Sequence, residues 1–392
     1  MKSFAVSLGV LAVSLVGCGP SQSSQDSGTD SSADSSADAP AGPPGSQYCR
    51  SVPNPTCPAS TVANCGACVT PPEDPVVDRL KRTPCAALPE RPEFCDSANP
   101  AAAPDLSCFL NFDPANPPTP PASRTVTVWG AVGVFGTGGD SNNITVKVYE
   151  VGPNGTLGAM VGQATTSTAA GTYTESERVL DNSGNVTQMR TLGSFKISGI
   201  QTEHPYIVMS QGPAGYFEHP IYDYTLNIRN QDIAAPPAAA VTALGITGDA
   251  VRIRVRTISN SDWLTVPSVA TLPTGIPTGH GVLAGEVHDC ADIRLSNAMV
   301  HAYPPPGFMG TVYFSDNPTN PLPDTSRSTH GTQLLGLYAL LDTVPGATRV
   351  SALGYAPDGT LVHLGTYGVQ MFPNAVTVVT FRGIRPWQIA NP

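Results

Sequence analysis

The feature that most constrains this chain is a two-residue alternation that recurs from Thr125 onward. Thr125-Val126-Thr127-Val128-Trp129, Ile144-Thr145-Val146-Lys147-Val148-Tyr149 and Val251-Arg252-Ile253-Arg254-Val255-Arg256 all place apolar residues at every second position. Strands do this because successive side chains point to opposite faces. In the last run Val251, Ile253 and Val255 face a core, and Arg252, Arg254 and Arg256 line the other face, either as a solvated surface or as a grip for an anionic ligand. Turn residues separate the runs: 38 Gly and 40 Pro in 392 residues, about 20% against a usual share near 12%. Charged residues are only 13%, about half the usual ~25%. Together these exclude long amphipathic helices and charge-driven disorder. The balance of 20 basic to 30 acidic residues, −10 overall, excludes a nucleic-acid backbone as partner.

The N-terminus reads differently. Met1-Lys2 precedes an apolar run, Phe4 to Val16, which is shorter than the ~20 residues of a membrane span and suited to a secretory signal. The run ends in Leu15-Val16-Gly17-Cys18. This resembles the lipobox of bacterial lipoproteins, which implies a signal peptide over 1–17, cleavage before Cys18 and lipidation of that cysteine. Several acyl chains on one residue give stable membrane anchoring. Gly19 follows where an Asp would imply inner-membrane retention, so the resemblance implies an outer-membrane anchor, facing the periplasm or the cell surface.

Residues 18–48 are the lipidated Cys and a Ser/Asp-rich tether, with Asp26, Asp30, Asp34 and Asp38 set among Ser, Ala and Gly and no apolar stripe. Residues 49–121 form a Pro-dense segment carrying Cys49, Cys57, Cys65, Cys68, Cys85, Cys95 and Cys108. In an exported chain this reads as a disulfide framework. Cys65-Gly66-Ala67-Cys68 lacks the strand–helix context of a redox motif, because Pro71-Pro72 follows. Seven cysteines cannot pair among themselves, and the remaining one is Cys290. It is therefore expected to pair with a cysteine of the segment and dock it on the C-terminal domain, unless each region keeps one free thiol.

Two sets of strands follow in the same order. Gly193-Ser194-Phe195-Lys196-Ile197 corresponds to Gly336-Leu337-Tyr338-Ala339-Leu340, and Val146–Tyr149 corresponds to Val300–Tyr303. The run Asn297-Ala298-Met299-Val300-His301-Ala302, then Gly336-Leu337-Tyr338 and Val344-Pro345-Gly346, resembles the carboxypeptidase regulatory-like domain, a seven-stranded sandwich of transthyretin type. The layout resembles lipoproteins of myxobacterial type that carry such domains. The expected fold is therefore all-β: two consecutive seven-stranded-type β-sandwich domains, at 122–258 and 281–392, joined by a linker at 259–280. Tyr338 is expected to fill a core, with Pro345-Gly346 making the turn that follows.

None of His204, His219, His280, His288, His301, His330 or His363 has Glu at +3, as a zinc carboxypeptidase needs, and no nucleophile elbow or P-loop occurs. Gly130, Gly133, Gly136, Gly138 and Gly139 are misspaced for a dinucleotide fingerprint and read as turn and bulge residues between strands. His288, Cys290 and His301 read either as a soft-metal site or as ordinary packing, and Tyr313, Asp316, Asn317 and Asp324 either as a calcium or glycan loop or as ordinary turns. The sequence thus predicts no catalytic residue, metal or cofactor. It predicts a non-catalytic envelope lipoprotein that displays modules for structural, protein-binding or glycan-binding roles, held at the membrane by its lipid. The alternative is an accessory substrate-binding subunit of a secreted or envelope hydrolase.

Overall fold

The computed structural model describes residues 56–64, 67–85, 95–96, 102–110, 119, 121–181, 183–224, 226, 228–303 and 310–383. Cys18, the tether, Cys49, Cys65 and Trp387 lie outside the described residues. The chain divides at Asp38/Ala39, and all that follows concerns the second unit.

Its elements, in chain order, are β1 (Val62–Asn64), β2 (Ala67–Val69), β3 (Lys81–Arg82), α1 (Ser107–Leu110), β4 (Thr125–Phe135), β5 (Thr145–Val151), β6 (Leu157–Thr165), β7 (Thr174–Leu180), β8 (Val186–Gln201), β9 (Tyr206–Gln211), β10 (Ile221–Asp223), α2 (Ala238–Leu244), β11 (Ala250–Arg252) and β12 (Val255–Ile258). Then come α3 (Asn260–Val269), β13 (Gly281–Glu286), β14 (Leu295–Ser296), β15 (Met299–Tyr303), β16 (Thr311–Phe314), β17 (Pro323–Asp324), β18 (Leu337–Thr343), β19 (Gly346–Tyr355), β20 (Leu361–Met371) and β21 (Val376–Val378). The fold is all-β and of sandwich type.

The two strand sets share one pairing scheme. In the first copy β4 pairs antiparallel with β8 and parallel with β12, while β5 pairs with β9 and β9 with β10. In the second, β13 pairs antiparallel with β18 and parallel with β21, while β15 pairs with β19 and β19 with β20. The equivalence reaches single residues. Gly130 lies opposite Phe195, and Gly285 opposite Tyr338. The residue before each glycine accepts a hydrogen bond from the last strand region, Ile253 N–H to Trp129 O at 2.8 Å and Val379 N–H to Ala284 O at 2.8 Å. A Cβ on Gly130 would sit 1.9 Å from Ile253 O, and one on Gly285 1.8 Å from Val379 O. Only glycine permits that approach. Gly130 and Gly133 therefore belong to the interior of β4 and not to turns, which corrects the sequence reading.

Each copy has its own core. Val128, Val132, Val146, Phe195, Ile197, Val208 and their neighbours fill the first. The second collects Leu283, Tyr313, Tyr338, Val350, Leu364 and Phe381, and it also takes in Val69, Leu80, Leu106 and Phe109 from the cysteine-rich segment. That segment is thus packed into the second copy across the whole intervening first copy. β3 pairs with β14, and Cys108 is bonded to Cys290.

The copies are not independent sheets joined by a tether. β21 lies parallel between β10 of the first copy and β13 of the second, fusing their strands into one nine-stranded sheet, β17-β16-β18-β13-β21-β10-β9-β5-β6. The stretch 259–280, expected as a linker, opens with α3. Ser259 caps that helix by accepting from Asp262 N–H at 3.1 Å, and Trp263 and Val266 are buried against the shared sheet. Ser259-x-x-Asp262 is a capping signal legible in the sequence; Pro267 inside a ten-residue helix obscures it.

Candidate functional site

The shared sheet and α3 line a partly open cavity of about 540 Å³ between the copies. Its second-copy wall follows the strand period. Val282, Ala284 and Glu286 of β13 face it, beside Val376 and Val378 of β21 and then Thr380 and Arg382. Because β13 and β21 are parallel, both rows run from apolar to charged in one direction. At a strand rise of ~3.3 Å per residue, Val376 and Arg382 are about 20 Å apart along the sheet. Trp263 and Val266 of α3 and Phe314 of β16 also line it, and Phe135 of the first copy meets Phe314 edge-on at 5.9 Å.

A charge cluster closes the other end. His288 is fully buried, with Nδ1 2.8 Å from Asp292 Oδ1 and Nε2 2.9 Å from Glu286 Oε2. The ring is thus held between two carboxylates, one at each nitrogen. Glu286 also takes Arg294 Nε at 2.9 Å and Nη2 at 3.2 Å. Arg382 Nε stands 3.6 Å from Asp292. Burial alone would raise both carboxyls, but Arg294 and His288 hold Glu286 well below its usual range, and Arg382, His288 and Arg229 do the same for Asp292. Arg229 comes from the first copy and pairs with Asp232 at 2.8 Å through two nitrogens.

The arginines of the alternating run form the opposite wall. Val251, Ile253 and Val255 are buried in the first core as expected. Arg252 is exposed, bonded to Glu175 at 2.6 Å and 5.9 Å above Trp129. Arg254 and Arg256 are half-buried and line the cavity. Arg254 Nη2 lies 3.6 Å from Glu177, a carboxylate that Arg190 Nε already engages at 2.7 Å. Arg190 is itself buried and donates to the carbonyls of Val134, Gly136 and Gly138, holding the glycine turn after β4.

The remaining candidates are placed as follows. Cys57 is bonded to Cys68 and Cys85 to Cys95, so Cys68 is no half of a C-x-x-C pair. His288, Cys290 and His301 do not converge: His288 is clamped by carboxylates, Cys290 is in a disulfide, and His301 lies on β15 in the separate three-stranded sheet. No group of metal-holding side chains occurs among the described residues. Tyr313 is buried in the second core. Asp316 accepts from Leu334 N–H, Asn317 from Thr319 and Asn320 N–H, and Asp324 from Ser326 N–H, so the loop polar groups close turns. Glu286, Asp292, Arg294 and Arg382 were missed by the sequence reading. Their signal was density: in a chain only 13% charged, Glu286, Asp289, Asp292 and Arg294 fall within nine residues.

The sheet also presents an edge. β6 pairs with β5 within the shared sheet and meets β8 towards its C-terminal end, where Ser167 bridges Ser194; it carries no charged residue and no proline, and leaves Met160 50% exposed and Val161 38% exposed.

No protein-family model matches the chain, and no curated protein matches it. Among solved structures, it is similar to mutant forms of the shaft pilin SpaA from Lactobacillus rhamnosus GG. One is 12% identical, covering 67% of this chain and 100% of that chain with a TM-score of 0.17. Another is 12% identical, covering 66% and 97% with a TM-score of 0.16. TM-scores of this size do not establish a shared fold.

Proposed function

We propose that this chain is a non-catalytic lipoprotein of the cell envelope, anchored at the outer membrane through Cys18, whose duplicated sandwich binds a protein partner along β6. The β6 edge carries this reading. Edge strands normally carry charges or prolines that block further pairing, and the N-terminal part of β6, without either and clear of the bridge that Ser167 makes to Ser194, offers a ladder for an added strand. Three disulfides among the described residues fit an oxidising compartment. The side chains that elsewhere do chemistry serve packing here: Cys290 in a cross-link, His288 between carboxylates, Arg190 on turn carbonyls. The resemblance to carboxypeptidase regulatory-like domains is supported by the burial of Tyr338 and by the repeated strand order.

Two measurements test this. Cys18→Ser should move the protein from the membrane to the soluble fraction and abolish acyl labelling. Met160→Lys with Val161→Lys should remove any partner recovered by cross-linking from intact envelopes, leaving the melting profile unchanged. If the partner is a hydrolase whose substrate affinity falls when this chain is absent, the accessory-subunit reading replaces the structural one.

A further inference from the structure

We propose that the partner of the β6 edge is a second copy of this chain, the two β6 strands pairing antiparallel about a two-fold axis. This rests on the edge reading above and names its occupant.

The other edges of the three larger sheets are blocked. At the far end of the nine-stranded sheet, β17 is the dipeptide Pro323–Asp324, in which Pro323 has no N–H to give. β7 carries Glu175, Glu177 and Arg178, and β11 and β12 carry Arg252 and Arg256. On β15 the backbone of Val300 is already engaged: its N–H donates to Tyr313 Oη at 3.1 Å, and its carbonyl accepts from Thr311 Oγ1 at 2.6 Å. β20 carries no Asp, Glu, Lys or Arg, but Gln370 N–H donates to Tyr224 Oη at 3.3 Å, and a Cβ on Gly155 would sit 3.0 Å from Gly368 O. A β6 strand laid on any of these edges meets a proline, a charge or an occupied backbone. Laid on another β6 it meets none of them.

Two-fold symmetry asks for one more property. Residues near the axis face their own mates, so a charge there would face a like charge. β6 has none, and the whole stretch from Val151 to Thr174, between Glu150 and Glu175, contains no Asp, Glu, Lys or Arg. In a chain of net charge −10, two copies can meet along this stretch without setting like charges against each other. Ala159, Met160 and Val161 are exposed in succession, so side chains on both faces of the strand are bare. An added strand covers both. The bridge from Ser167 to Ser194 confines pairing to the part around Leu157–Val161. Because both copies use the same edge, the pairing closes on itself and stops at two. So short an interface belongs with the weak, reversible ones.

Sedimentation velocity on the full chain carrying Cys18→Ser, over a hundredfold range of concentration, tests this. The expected result is a monomer that passes to a dimer and to nothing larger. Met160→Lys with Val161→Lys, and Met160→Glu with Val161→Glu, should each weaken association at least tenfold. An equimolar mixture of the two variants should restore it, because opposite charges then face each other; the restoration also shows that both variants are folded. A chain that stays monomeric, association that both variants leave unchanged, growth beyond the dimer, or a mixture that stays monomeric would overturn the proposal. If the chain is monomeric while the lysine variant still loses a partner cross-linked in intact envelopes, the edge reading stands and this proposal alone falls. If neither a dimer nor a partner depends on Met160 and Val161, both fall.

Discussion

In the first copy the aromatic opposite the strand glycine is Phe195; in the second it is Tyr338, whose hydroxyl donates to Val379 O at 2.6 Å. Around these positions the pairing is the same, but the surroundings differ. The first copy is closed by its own elements. The second is closed from both sides by distant chain, with α1 and β3 from the cysteine-rich segment on one side and α3 on the other. Its sheet is apolar on both faces: Leu283, Tyr338 and Leu340 point into its own core, while Val282, Ala339 and Leu341 point towards α3. One sandwich plan can thus serve as a free-standing layer pair or as the middle layer of a thicker assembly. Covering elements decide which, without any change in strand order.

Four outcomes would break or sharpen that comparison. The largest effect should come from Gly130→Ala and Gly285→Ala, since each added methyl meets a backbone carbonyl closer than 2 Å. Both should cost more than about 4 kcal/mol in denaturant titration; tolerance of one alone would show that the copies are not equivalent there. Next, Phe195→Ala and Tyr338→Ala should each cost on the order of 3–5 kcal/mol. Tyr338→Phe should cost only about 1 kcal/mol, and a near-zero loss at Tyr338→Ala would remove that residue from the core.

Replacing Cys108 and Cys290 together by Ala should cost about 2–5 kcal/mol. Hydrogen exchange should rise around Phe109 and β13–β14 but not in β4 or β8. Equal loosening of both copies would mean that the cross-link supports the whole unit. The smallest effect concerns acid. Burial lowers His301 to about 4 and His363 to about 3, from an ordinary 6.5, and both belong to the second copy. Their folded forms are neutral, so their contribution is complete above pH 6.5 and is lost as pH falls towards 4 and then 3. The loss, about 1.4 kcal/mol at each histidine for each pH unit between 6.5 and its folded value, should soften β15–β20 before β4–β9 in exchange measured across that window. Glu286 and Asp292 add to it as pH falls below their unfolded values of 4.5 and 3.8.

Local pattern was legible wherever the cause is local. Alternation marked β4, β5 and the run through β11 into β12, because a two-residue period needs no partner to be read. The matched Gly-x-aromatic runs at Phe195 and Tyr338 announced the duplication, and the odd cysteine count made a long-range bond to Cys290 an expectation. The cavity wall was half legible: Arg254 and Arg256 stood out as one strand face, and the packing of that face against another layer depends on residues far away in the chain.

Partnership between distant segments was decided by the tertiary structure. Three residues of β21 join the copies through parallel pairing with β10 and β13, a contact that leaves no periodic trace in so short a strand. α3 closes the cavity although its sequence resembles a linker. Glu286, Asp292, Arg294 and Arg382 meet only because the chain returns along β21 beside β13. By itself the sequence determined that this protein is built of repeated strands, since alternation and turn chemistry act over a few residues. Which faces met each other depended on burial between segments far apart in the chain, and that is what set a partly open, charge-lined cavity between two copies of one sandwich.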